Sequence, residues 1–213
     1  AEFLAHTAYI VSSKAELAKL QAAVMLPDGH AVNPKIVGFS AKYIAELAGI
    51  KVPEETKLLI AEIAGVGVDF PLSREKLSPV LAMVKANSTE EGLDLCEAML
   101  DLGGLGHTAV IHTEDEDLQI QFGIRMKACR ILVNTPAAEG GIGNIYNEML
   151  PSLTLGCGSY GHNSVSHNVS AVDLINVKTL AKRRNNMQWF KLPPKVYFEK
   201  NSISDKISLE LMD

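Results

Sequence analysis

The chain has 213 residues, 47% of them hydrophobic, enough for one sizeable core or one core with a small appendage. Its 25 acidic and 20 basic residues leave a formal charge of -5, which argues against a dedicated nucleic-acid binder. No apolar run nears the roughly 18 residues of a membrane span. Three cysteines are too few, and odd in number, for a disulfide framework, so a reducing cytoplasm is the expected setting.

The chain begins Ala-Glu-Phe rather than Met, in a helix-like phrase without a cap, and reads as part of a longer polypeptide. "KAELAKLQAAVM" (14–25) sets Leu17, Leu20, Ala23 and Val24 at helical spacing. "SAKYIAELAG" (40–49) predicts a second helix, with Ser40 as N-cap and Gly49 as stop. The apolar runs "TKLLIAEI" (56–63) and "LSPVLAMV" (77–84) have strand length. "STEEGLDLCEAMLDLGG" (88–104) is the clearest helix: Ser88 and Glu91 make a capping box, Leu93, Cys96 and Leu100 share a face, and two glycines end it.

"HTAVIHT", "EDEDLQIQFGIRMK" and "RILVNTP" then read as strand, helix and strand, a βαβ unit. Strands alternating with helices through residue 136 predict an α/β domain with a parallel sheet flanked by helices. After Pro136 the texture turns to Gly, Ser and Asn, suited to loops and a short antiparallel hairpin. Residues 171–190 have periodicity for a helical turn or two, "KVYF" (195–198) reads as a late strand, and 201–213 as a polar linker.

One stretch invites a nucleotide-binding reading. In "LTLGCGSYGHNS", Gly156, Gly158 and Gly161 satisfy the G-x-G-x-x-G spacing behind an apolar run. A pyrophosphate loop also needs a helix after the third glycine and an acidic residue about 20 positions on. "HNSVSHNVS" is poor helix material and the residues near 181 are Ala-Lys-Arg-Arg, so glycines permitting a bend are the favoured reading. Between them, Cys157 is either a nucleophile activated by His162 or His167, or a small side chain packed in a turn; no spacing rule singles out such a pair. Cys96 and Cys129 read as core. No His or Cys spacing suggests a metal. Lys178, Lys182, Arg183 and Arg184 read as a solvated face. His107 follows "GGLG" and precedes an apolar strand, and spacing alone leaves it balanced between a site and a structural role.

Five phrases in series carry a resemblance: "REKLSPVLAMVKA", "GGLGHTAVIHT", "RILVNTPAAEGGIGNIYN", "PSLTLGCGSYGHNS" and "LINVKTLAKRRNNMQWFKLPPKVYFEK". Together they resemble the acylating aldehyde dehydrogenase half of the bifunctional aldehyde–alcohol dehydrogenases, over nearly the whole chain to about residue 202. The resemblance implies an aldehyde dehydrogenase-like catalytic domain (1–150), oligomerisation strands and return segment (151–200), and a linker (201–213) toward an alcohol dehydrogenase domain. It implies interconversion of a short aldehyde, coenzyme A and NAD with acyl-CoA and NADH, through a thioester on an active-site cysteine.

None of the three cysteines matches that nucleophile, whose phrase in the family lies upstream of Ala1. This chain alone is therefore expected to be inactive. Glu75 matches the family glutamate that holds the nicotinamide ribose. His107 matches a histidine facing the active site, a base toward the coenzyme A thiol. Expected partners are short aldehydes, acyl-CoA and further copies of the chain in a homo-oligomer that can extend into filaments, with no nucleic acid and no membrane. The alternative is a non-catalytic assembly module of a larger enzyme.

Overall fold

A computed structural model describes residues 6–144 and 147–182. Three strands, β1 (Ala8–Val11), β2 (Leu58–Glu62) and β3 (Val80–Met83), form a parallel sheet in that order, with Ala8 opposite Leu58 and Leu59 opposite Val80. A second parallel ladder pairs β4 (Gly106–Ile111) with β5 (Ala128–Val133), Thr108 lying opposite Arg130. The expected parallel sheet is thus present as two ladders among the described residues. The opening phrase departs from its helical reading: residues 8–11 are strand, and residues 1–5 lie outside the described residues.

The helices follow the predicted order, and their caps show why. In α1 (Lys14–Val24), the Ser13 hydroxyl accepts from the Glu16 N–H at 3.2 Å. Ser40 caps α2 (Ala41–Leu47) in the same manner, accepting from Tyr43. At the head of α3 (Thr89–Leu102), Ser88 accepts from Glu91 N–H, but the Glu91 carboxylate turns back to the Asn87 N–H at 2.6 Å rather than to Ser88. α4 (Glu116–Arg125) starts at Asp115 and spans the β4–β5 crossover. A single turn, α5 (Ala137–Gly140), follows β5, where the sequence suggested only loop.

Two apolar clusters hold these elements. Val11, Leu20, Ile36, Ile44 and Leu59 are fully buried where α1 and α2 cover the first sheet. Each such aliphatic side chain contributes about 1.5–3 kcal/mol relative to exposure. Leu93, Phe122 and Met126 form the second cluster beneath β4 and β5, with Cys96 and Leu100 packed against it. Arg125 ties α4 to α3 through Glu90, Asp94 and Glu97.

After α5 the chain makes a short antiparallel hairpin: Leu155 bridges Asn168, Gly156 N–H donates to His167 at 3.0 Å and Val169 N–H to Thr154 at 2.9 Å. Contacts divide the chain after Leu174, so this hairpin belongs with the α/β body. Of the second unit, 175–213, residues 175–182 are described and contain no helix or strand. The expected late strand (195–198), the linker, Arg183 and Arg184 lie outside the described residues. No helix among the described residues is long and apolar enough to cross a membrane.

Candidate functional site

The β2–β3 connection carries a 3₁₀ turn, Pro71–Ser73, rather than a full helix, and this places Arg74, Glu75 and Lys76 just ahead of β3. On the other ladder, Gly106 opens β4 and His107 follows it. These two strand entrances flank one cleft of about 680 Å³, walled further by Cys96 and Met99 of α3. Glu75 and His107 both line it, so the structure brings the two sequence-identified residues to a single cavity. Both side chains are exposed.

Lys76 is only 4% exposed, and its ammonium donates to the carbonyls of Leu72 at 2.5 Å and Arg74 at 2.6 Å. Burial pushes its pKa down to about 8, against the opposing pull of the Glu75 charge. The lysine thereby fixes the turn from which Glu75 projects. Arg74 reaches the other way, donating from Nη1 to the Leu102 carbonyl at 3.1 Å, and so fastens the same loop to the end of α3. No described donor occupies the Glu75 carboxylate, which remains free to accept two hydroxyls of a ligand.

On the facing wall, His107 Nδ1 lies 2.8 Å from Thr108 Oγ1, leaving Nε2 as the ring nitrogen free for a ligand. Thr108 in turn accepts from Arg130 Nε at 3.2 Å. Arg130 and Lys76 escaped the sequence reading. The available signal was a charge inside an apolar strand phrase, "ACRILV", which marks a buried cation needing partners.

The glycine-rich stretch resolves as a packing device. No helix follows Gly161; instead Asn163 Nδ2 donates to the Gly161 carbonyl. A Cβ on Gly156 would sit 2.4 Å from the Val165 carbonyl, and one on Gly161 2.2 Å from Cys157 Cβ. Cys157 is half-buried with Sγ toward the Leu155 carbonyl at 3.7 Å, while His167 is paired with Asp173 at 2.7 Å. No hydrogen bond joins Cys157 to either histidine among the described residues, so the nucleophile reading of this cysteine has no base. Cys96, the cysteine on the cleft wall, has its thiol pushed up by burial, the wrong direction for a thiolate. No group of three or more His, Cys, Asp or Glu among the described residues is arranged to hold a metal ion.

No protein-family model matches the chain. It is 55% identical over 175 residues to the aldehyde-alcohol dehydrogenase of Streptococcus pneumoniae serotype 4, covering 82% of this chain and 20% of that protein. It is 48% identical over 205 residues to the bifunctional aldehyde-alcohol dehydrogenase AdhE of Escherichia coli K12, covering 94% and 23%. The chain therefore spans about a fifth of the length of these curated relatives. Among solved structures, a probable aldehyde dehydrogenase from Listeria monocytogenes EGD-e superposes with a TM-score of 0.81 at 39% identity, over 89% of this chain and 41% of that one. An acetylating aldehyde dehydrogenase from Geobacillus thermoglucosidasius gives 0.76 at 40%, over 85% and 41%. The same fold, at 22% identity and a TM-score of 0.63, occurs in a Rhodopseudomonas palustris propionaldehyde dehydrogenase with bound propionyl-CoA, matched over 76% of this chain and 34% of that one. The chain is a homologue of one stretch of the aldehyde-alcohol dehydrogenases and carries the α/β fold of the acetylating aldehyde dehydrogenases.

Proposed function

We propose that this chain forms one wall of the active site of an acylating aldehyde dehydrogenase, which converts a short aldehyde, coenzyme A and NAD⁺ into acyl-CoA, NADH and a proton. The carrying observation is that Glu75 and His107, from separate ladders, line one cleft. Glu75 offers an unengaged carboxylate whose two oxygens suit a ribose diol, and Lys76 and Arg74 keep its loop in place. NAD supplies the hydride acceptor when bound. His107 presents Nε2 to the cleft and takes the proton of the coenzyme A thiol as the acyl group is transferred, an imidazole being suited to that exchange near neutral pH.

The reading places the nucleophilic cysteine in a part of the longer enzyme outside this chain, consistent with relatives about four times its length and with the raised thiol of Cys96. It also gives the full protein a cytoplasmic setting and a homo-oligomeric assembly, extending to filaments, through the hairpin region. Rapid-mixing measurement of acyl transfer in the full-length enzyme tests the assignment. His107→Ala is expected to slow transfer to coenzyme A by roughly a hundredfold; an unchanged rate would reject the role.

A further inference from the structure

Arg130 is an expensive residue to place where it is. It lies on β5, is 3% exposed, and no carboxylate among the described residues pairs with it. Its Nη1 donates to the Gly156 carbonyl at 2.8 Å and its Nε to Thr108 Oγ1 at 3.2 Å, while Nη2 is buried with no hydrogen-bond partner. A buried guanidinium with no counter-charge is a net burden on the fold, and an apolar residue of similar volume would commonly be tolerated as well or better. Stability therefore does not account for it.

What the guanidinium does touch points to the cleft. Thr108 lies opposite Arg130 in the ladder, and its oxygen, which accepts from Arg130, is also 2.8 Å from His107 Nδ1. A guanidinium can only donate, so Thr108 must present a lone pair toward it. That orients the threonine oxygen and leaves the remaining hydrogen-bonding direction of the hydroxyl for the imidazole. The other arm of the fork holds Gly156, at the base of the hairpin. We propose that Arg130, acting through Thr108, is a positioning residue that fixes the ring of His107 with Nδ1 anchored and Nε2 turned to the cleft. This rests on the catalytic reading of His107 for its consequence, but not for its geometry.

The geometry makes opposite forecasts for two substitutions at one position. Thr108→Val keeps the shape and removes the oxygen; Thr108→Ser keeps the oxygen and removes the methyl. In the full-length enzyme, Thr108→Val and Arg130→Met are each expected to lower the rate of acyl transfer to coenzyme A roughly tenfold to a hundredfold. The KM for NAD should stay within about twofold, and Thr108→Ser should retain most of the rate. The double variant should lose no more than either single one, because both cut the same chain of contacts. Crystal structures of Thr108→Val and Arg130→Met should show the His107 ring turned out of its present rotamer, with the hairpin in place. A ring that keeps its orientation in both variants would overturn the proposal, as would a Thr108→Ser enzyme as impaired as Thr108→Val. A ring that turns while acyl transfer continues at the original rate would uphold the positioning role and reject the catalytic reading of His107.

Discussion

Replacing Gly106 by Ala probes how the hairpin supports the candidate site. Gly106 has φ of +81°, and a Cβ there would lie 2.0 Å from the Cys157 carbonyl oxygen and 2.9 Å from Gly161 N. Both obstacles are backbone, so relief requires the hairpin to move rather than a side chain to rotate. Gly38 supplies the control: its φ is +79°, but nothing lies within 4 Å of its would-be Cβ. Gly38→Ala thus measures the left-handed backbone penalty alone, about 1 kcal/mol. Gly106→Ala carries that penalty plus overpacking of about 1–3 kcal/mol. For a unit of this size each kcal/mol moves Tm by about 2–4 °C, so the two variants should differ by roughly 5 °C in thermal unfolding of the 213-residue chain. Equal shifts would mean that the hairpin is not seated against the start of β4, and the support for His107 would have to be sought elsewhere.

Two further perturbations follow from buried polar groups. Below about pH 8, Lys76 is charged in both the folded and unfolded chain, and its burial penalty is fully present. Between about 8 and its ordinary value of 10.5 the unfolded chain keeps a proton that the folded chain has released, so this group makes stability rise with pH, by an amount on the order of 3 kcal/mol. Lys76→Met should abolish that rise in denaturant unfolding measured at pH 7.5 and 10.5; a difference from the parent that is the same at both pH values would contradict it. Asn168 is 3% exposed and its amide donates to the carbonyls of Gly141, Ile142 and Leu150. Asn168→Ala should cost about 2 kcal/mol by leaving the Gly141 and Leu150 carbonyls unpaired, the Ile142 carbonyl still accepting from the Ser152 N–H. This is read as a lowered urea midpoint with unchanged slope, and a midpoint within error of the parent would refute the tie.

Local signals carried much of the architecture. Ser40 and Ser88 each precede a helix and each caps it, and the apolar runs at 56–63 and 77–84 contain β2 and β3. The four-residue β1 was hidden because its length gives too few positions for a period to declare itself. Its assignment comes from pairing with β2, which is 50 residues away in register from Ala8 to Leu58. The glycine spacing misled for a related reason. Close approach of two backbones demands glycine whether the neighbour is a pyrophosphate or, as at Gly156, the Val165 carbonyl.

The site divides along the same line. Glu75 and His107 were reached through long phrases that resemble a family, and the cleft between them is a product of tertiary structure. Lys76 is held by the backbone oxygens of Leu72 and Arg74, and Arg130 by the Gly156 carbonyl and the Thr108 hydroxyl, and no sequence period reports which acceptors surround a buried cation.

The central claim is that the cleft between the two ladders holds the nicotinamide ribose at Glu75 and the sulfur of coenzyme A at His107. A crystal structure of the full-length enzyme with NADH and a non-reactive acyl-CoA analogue tests it most directly. The ribose hydroxyls should lie within hydrogen-bond distance of the Glu75 carboxylate, and the ligand sulfur within reach of His107 Nε2. Ligands bound elsewhere, with both side chains facing solvent alone, would contradict the account.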